Sequence, residues 1–408
     1  MRSGATFGDA RDRYFAGLDE RERRFAYELA AGVLRRQSGL DAALDLARAD
    51  RRLHDILRLG VYQLRHSRVP PHAAVSTSVD LARDAAGEGG ARYVNRALRE
   101  AARDPGRGEQ GTVSSHPLWL VDRWRARFGE RETQALVAWN DTKPSLVLQP
   151  ARWDQATLRA RLLQAGLSIA EAPFGCGVRV TRGQAAPGSL LPHKLPGFAE
   201  GGWIVQDAAQ ALVCRFAAIP PGHRVYDACA APGGKAITLE TLGARVVAGD
   251  VRRDRFPRLV ETTRRAGVAI RLLLADLLAA PFGSASVDAV FLDAPCTATG
   301  TMARHPDARW RVTAGSAARA AARQGALLAA AARLVRPGGL LVYATCSLET
   351  EENEEVVNAF LARHPAFHRA PVTGSVVDAL LTECGDLRCL PQRHGADGAY
   401  AARLRRSA

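Results

Sequence analysis

The sequence predicts an α/β protein built on a doubly wound, mainly parallel sheet, with an all-helical region and a small α+β module ahead of it. Three observations carry that prediction. Asp227-Ala-Cys-Ala-Ala-Pro-Gly-Gly-Lys235 follows the apolar run Arg224-Val225-Tyr226 and leads into residues 236–242, which reads as a strand, a tight glycine turn and a helix. Four more apolar runs follow, each ending in an aspartate or a cysteine-bearing turn, and helical stretches rich in Ala, Leu and Arg separate them. Upstream, the first 103 residues show only the helical period.

From the start of the chain, residues 21–36 set Phe25, Leu29, Val33 and Leu34 at helical spacing. Residues 53–64 put Leu53, Ile56, Leu57, Gly60, Val61 and Leu64 on one face. Val69-Pro70-Pro71-His72 breaks the pattern before a helix over about 74–85, and residues 93–99 close the region. The Gly-, Pro- and charge-rich stretch that follows reads as a linker. Ser115 is placed to cap the next helix, with Pro117 in its first turn. Trp119 and Trp124 are expected in the core of two short helices, the alternative being stacking on bases. Residues 145–200 mix a helix, 154–165, with short strands. The expected domains are therefore 1–103, a linker 104–114, a module 115–200, and the sheet domain 201–408.

The 408 residues carry a formal charge of +14, which points to a polyanionic partner. Nearly all of the positive charge is arginine; the lysines are Lys143, Lys194 and Lys235. No run of about 18 apolar residues occurs and no apolar leader opens the chain, so neither a membrane span nor export is expected. Seven cysteines without a CxxC pair argue against a zinc site or a disulfide framework and for a reducing cytoplasm. Cys176, Cys214, Cys384 and Cys389 are expected as small buried hydrophobes.

In the sheet domain the unusual residues fall at the carboxyl ends of strands, which is the ligand edge of such a sheet. Gly233 and Gly234 allow a ligand to approach the backbone at a helix N-terminus, although a plain strand-to-helix connection reads the same way at this level. The second run, 244–250, ends in Asp250, placed to grip a ribose diol. The third, 270–276, ends in Asp276; the fourth, 287–293, ends in Asp293-Ala294-Pro295-Cys296; the fifth, 339–344, runs into Thr345-Cys346-Ser347.

Residues from about 200 to 405 resemble the catalytic domain of the NOL1/NOP2/Sun family of S-adenosylmethionine-dependent RNA cytosine-5 methyltransferases. The motifs that carry the resemblance are DACAAPGGK (Asp227 to Lys235), DAPCTATG (Asp293 to Gly300) and ATCSLETEENEEVV (Ala344 to Val357). Gly202-Trp203-Ile204-Val205-Gln206-Asp207-Ala208-Ala209-Gln210 resembles the family's entry into the methyltransferase domain, and Leu390 to Gly398 resembles its last hairpin, with Ala399 where an aromatic residue is usual. Leu57 to Leu64 together with Val69 to Val75 resembles the NusB-like RNA-binding domain of RsmB-type members; such domains begin with a further helix, and this chain is expected to start near its end. Leu148-Gln149-Pro150 stands where the family has Arg-Val-Asn.

The resemblance implies a Rossmann-like class I methyltransferase domain with a seven-stranded sheet. It implies Cys346 as the nucleophile that adds to cytosine C6, and Cys296 as the thiol that assists product release. Asp293 is implied at the cytosine and the methionine end of the cofactor, with a strand-end cap as the other reading. Lys235 is implied near cofactor or cytosine, supplying a field that favours a thiolate. Cys229, Ala230, Ala231, Pro232, Gly233, Gly234, Lys235, Asp250, Asp276 and Asp293 are implied to bind S-adenosylmethionine. Arg255 contacts cofactor or RNA, or merely pairs on its helix. His305 and His394 are expected on RNA-facing loops, residues 349–355 as an acidic helix start, and no metal is expected. The implied substrate is a cytosine in 16S rRNA before 30S assembly finishes, and the expected state is a cytoplasmic monomer. A tRNA or other rRNA substrate, and a non-catalytic RNA-binding assembly factor, are the alternatives.

Overall fold

The computed structural model describes residues 6–104, 115–181, 191–372 and 378–408. They form two compact units, Met1–Lys143 with Met302–Val312, and Pro144–Thr301 with Thr313–Ala408. The expected linker lies almost wholly outside the described residues.

The first unit is helical. α1 (Phe7–Tyr14) starts on a capping box in which Thr6 accepts from the Asp9 amide and Asp9 accepts from the Thr6 amide. α2 (Glu20–Ala42) starts the same way on Asp19 and Glu22. α3 (His54–His66) and α4 (Pro71–Arg103) follow; α4 opens on Pro71 and breaks at Ala86-Gly87, close to the end expected at residue 85. Leu40, Leu57, Val61, Val94 and Leu98 form the core between these helices. Phe25, expected on the inner face, is 45% exposed, while Leu29 and Val33 pack on the core. α5 (Leu118–Phe128) and α6 (Glu130–Asp141) complete the pair expected after the linker, but they pack with this unit rather than with the strands that follow. Trp124 is buried as expected. Ser115 is not the cap of α5: Pro117 occupies that position, and Ser115 is buried with its carbonyl accepting from Arg309.

The second unit opens with β1 (Leu146–Pro150), α7 (Gln155–Gln164), β2 (Ser168–Glu171), β3 (Val178–Thr181) and β4 (Trp203–Val205). These strands make an antiparallel sheet in the order β2-β3-β1-β4, packed on Leu158, Leu162 and Trp203. Gln149 on β1 turns inward and donates to the Cys176 carbonyl at 2.8 Å, so the residue that departs from the family motif serves the fold.

α8 (Ala208–Ala217), capped by Asp207, leads into β5 (Arg224–Asp227), α9 (Gly234–Thr241), β6 (Arg245–Asp250), α10 (Phe256–Ala266), β7 (Arg271–Leu274) and β8 (Val287–Asp293). The chain then returns to the first unit for Met302–Val312, which carries α11 (Ala308–Arg311). There the fully buried Arg309 donates to Asp141 at 2.6 Å, to the Asn140 carbonyl at 2.8 Å and to the Ser115 carbonyl at 3.3 Å. Back in the second unit come α12 (Ser316–Leu334), β9 (Val335–Thr345), α13 (Glu354–Arg363), β10 (Phe367–Arg369), β11 (Leu387–Cys389), α14 (Pro391–His394) and β12 (Ala399–Arg406).

The large sheet runs β10-β12-β9-β8-β5-β6-β7, with β11 added on β12, so the expected seven strands are joined by an eighth. β7, β6, β5, β8 and β9 are parallel; β12, β10 and β11 pair antiparallel. Side chains alternate along each strand: Val225, Phe291 and Val342 pack with α8 and α9, while Tyr226, Leu292 and Tyr343 pack with α12 and α13. Both faces are therefore covered, which leaves the carboxyl ends of the parallel strands as the ligand edge.

Candidate active site

The motif after β5 forms a tight turn because Gly233 takes φ +106°, a region closed to most side chains. The Gly233 amide donates to Ala230 and the Ala230 amide to Gly249, which anchors the turn on β6. Asp250, at the end of β6, accepts from the Ala231 amide at 3.0 Å and the Arg252 amide at 2.8 Å, so one carboxylate sets two loops of the ligand edge. Asp276 accepts from the Leu278 amide at the next strand end.

Beneath the turn, Asp227 is fully buried and neither of its oxygens has a hydrogen-bond partner. Burial, and then the nearby Asp293, push its carboxyl up to about 8 against the pull of Lys235. Burial first, and then Asp227, raise the Cys229 thiol, which keeps that cysteine inert. An orphaned buried carboxylate behind a glycine turn, with a second at the adjoining strand end, fits S-adenosylmethionine. Its ammonium and ribose hydroxyls call for acceptors of this kind.

β8 and β9 are parallel neighbours, with Asp293 opposite Ala344, and this pairing brings their two terminal loops together. The Cys296 and Cys346 sulfurs lie 3.1 Å apart. The Cys296 thiol is held well above its usual range, first by its bond to Cys346 and then by burial, and either sulfur can be the donor between them. Lys235 Nζ donates to Asp293 Oδ2 at 2.7 Å, with both side chains largely buried. Burial works against the ammonium, but Asp293 and, more weakly, Cys346 outweigh it and keep it charged. Cys346 thus lies against the Cys296 sulfur and within the field of the fixed Lys235 ammonium.

The loops are tied to each other as well. The Gly300 amide donates to the Cys346 carbonyl at 3.0 Å, and the Gly398 amide to the Gly300 carbonyl at 2.7 Å. A Cβ on Gly300 would lie 2.7 Å from both the Cys346 oxygen and the Gly398 Cα. Glu352, expected in an acidic helix start, is fully buried and bonded to Thr297, Ser347 and Gln324. The other expected residues spread out. Arg255 is exposed as the N-cap of α10, and His394 packs edge-on against Phe174 and accepts from the Leu390 amide. Cys384 is exposed rather than packed, whereas Cys176, Cys214 and Cys389 are buried as expected. Ala399 is buried opposite Cys389. Among the described residues no cluster suits a metal ion.

Fold and site together define an S-adenosylmethionine-dependent methyltransferase. Three family models match: "16S rRNA methyltransferase RsmB/F" over residues 217–405, "NusB family" over 2–103 and an "RsmF/B-like, ferredoxin-like domain" over 116–186. The chain is 36% identical to ribosomal RNA small subunit methyltransferase B of Xylella fastidiosa, across 95% of this chain and 92% of the relative. Among solved structures, PH0851 superposes with a TM-score of 0.80 at 25% identity, covering 96% of this chain and 92% of that one. NSun6 from Pyrococcus horikoshii, solved with SFG, shares the fold with a TM-score of 0.62 at 19% identity, over 72% of this chain and 100% of its own. This chain belongs to the RsmB/F family of 16S rRNA methyltransferases.

Proposed function

We propose that the chain methylates C5 of a cytosine in 16S rRNA through a covalent bond between Cys346 and C6. The observation that carries this reading is the pair of sulfurs 3.1 Å apart, with Cys346 in the field of the Lys235–Asp293 ion pair. Cytosine C5 is a weak nucleophile until a thiolate adds at C6. The new S–C6 bond pushes an electron pair toward C5, and that carbon can then take a methyl group. Bound S-adenosylmethionine supplies the methyl as an electrophile. Asp293, fixed by Lys235, faces the pyrimidine as a hydrogen-bonding group. Loss of the C5 proton to a base and departure of the Cys346 thiolate restore the C5–C6 double bond, and Cys296 assists this release.

A paired cytosine cannot offer C6 to a thiol, so the target base is unpaired or flipped out. The NusB-like helices and the net charge of +14 serve to hold the surrounding RNA by its phosphates and shape. We further propose action on 16S rRNA before 30S assembly ends, by a monomer in the cytoplasm.

The test is transfer of labelled methyl groups to protein-free 16S rRNA and, separately, to tRNA, followed by digestion to nucleosides. Label in 5-methylcytidine from rRNA is the expected result. Label in another nucleoside would overturn the chemistry, and label from tRNA alone would overturn the substrate. In the same assay Cys346→Ala abolishes transfer, while Cys296→Ala accumulates a protein–RNA adduct that survives denaturing gels.

A further inference from the structure

We propose that Glu352 is the positioning residue that fixes the two thiols at working distance, an inference that rests on the covalent reading above and deepens it. Its carboxylate is fully buried and satisfied entirely by donors from the two cysteine loops and one helix. Oε2 accepts from the Thr297 amide at 2.9 Å and from Gln324 Nε2 at 3.0 Å. Oε1 accepts from the Ser347 hydroxyl at 2.5 Å and from the Thr297 hydroxyl. Thr297 directly follows Cys296, and Ser347 directly follows Cys346. One side chain therefore bonds the next residue after each thiol.

The backbone of Glu352 is held in turn, because its carbonyl accepts from Tyr343 on β9 at 2.6 Å. Asn353 reinforces the arrangement on one side: it accepts from Thr345 at 2.5 Å and donates to the Ser347 carbonyl at 3.0 Å, bracketing Cys346. A carboxylate suits the central position because it accepts from all four partners at once, whereas an amide at residue 352 would turn an N–H toward the amide donors or force the Ser347 and Thr297 hydroxyls to reverse. None of these bonds reaches a reacting atom, so the effect of Glu352 passes through the backbone of its neighbours to the two sulfurs.

The test is Glu352→Gln in the full chain, with Ser347→Ala and the double variant. Expected is a fall in kcat of about 100-fold, the scale of an ångström-level misplacement, with KM for RNA and affinity for S-adenosylmethionine within about threefold of the parent. The double variant should fall only slightly below Glu352→Gln, because both changes break one network. A second readout needs no RNA. Diamide takes two electrons and two protons from the Cys296 and Cys346 thiols, joining them as a disulfide while its N=N bond is reduced to the hydrazine. Peptide mapping of that disulfide should show cross-linking about tenfold slower in Glu352→Gln, as the two sulfurs lose effective concentration. Unchanged kcat and cross-linking would overturn the proposal, as would a loss of kcat matched by equal losses of cofactor affinity and thermal stability. Slower cross-linking with no 5-methylcytidine from the parent enzyme would uphold the positioning role and remove the methylation reading instead.

Discussion

Asp227 is a carboxylate sealed under the ligand turn with no hydrogen-bond partner, and its titration should be visible in stability. Its ordinary value is 3.8, and in the fold it is pushed up to about 8. Between those values the native state keeps a proton that the unfolded chain has released, so its contribution is most favourable in acid and declines as pH rises toward 8. Asp227→Asn removes this decline. Urea midpoints of cofactor-free protein between pH 5.5 and 8.5 should therefore fall less steeply in the variant, by at most about 1.4 kcal/mol per pH unit. Lys235→Met is expected to act in another way. It strands Asp293 in a largely buried site, costing about 1–3 kcal/mol in denaturant and lowering methyl transfer along with stability. The thiols, Lys235 and Asp293 were legible in the sequence because each ends a strand or opens a helix inside a motif. Glu352 was not: one acid in the run Glu349-Thr-Glu-Glu-Asn-Glu-Glu355 carries no periodic sign that it turns inward, and only tertiary packing separates it from its neighbours.

At the level of elements, the ends of β8 and β9 depend on backbone contact too close for any side chain. Gly300→Ala would set a methyl group 2.7 Å from the Cys346 carbonyl, and backbone cannot yield there as a flexible side chain could. A loss of about 1–3 kcal/mol is expected, read by denaturation, together with slower formation of the RNA adduct. The five parallel strands were legible because their apolar runs are short, β-rich and closed by turn signals. β12 was harder to see. Ala399-Tyr-Ala-Ala-Arg-Leu-Arg-Arg406 carries three arginines, yet Tyr400, Ala402 and Leu404 face one layer of the core, and Arg403 is buried with its guanidinium on the Ala217 carbonyl at 2.8 Å. An arginine paired with backbone hides a strand from any count of apolar residues.

On the scale of the whole molecule, charge and motif order indicated an RNA-directed enzyme with helices ahead of a sheet, and the family assignment agrees. What the linear order hid is that residues 115–143 and Met302–Val312 fold with the helices. Nothing in Ala308-Arg-Trp-Arg311 announces that Arg309 would serve as the polar centre of another unit. Its environment explains why it does. His116, held neutral by burial and by Arg309 itself, bonds Asn140, and the Asn140 and Ser115 carbonyls need the guanidinium as donor. Arg309→Met should lower the unfolding midpoint of the helical unit by an amount equivalent to about 3 kcal/mol, monitored by near-ultraviolet circular dichroism, because it leaves those buried acceptors unpaired.

The same returning segment sets a timetable for biosynthesis. A domain made of consecutive residues can finish folding soon after it leaves the ribosome, but here the helical unit lacks Arg309 until Val312 has been translated. At ordinary elongation rates that is roughly 10–30 s after Lys143 is added. Through that interval Asn140, Ser115 and Asp141 wait for a donor encoded beyond the cofactor loop and the Cys296 turn. The helical unit is thus completed only in chains that have already received the first four strands of the large sheet, so a ribosome that stops early releases no finished helical unit.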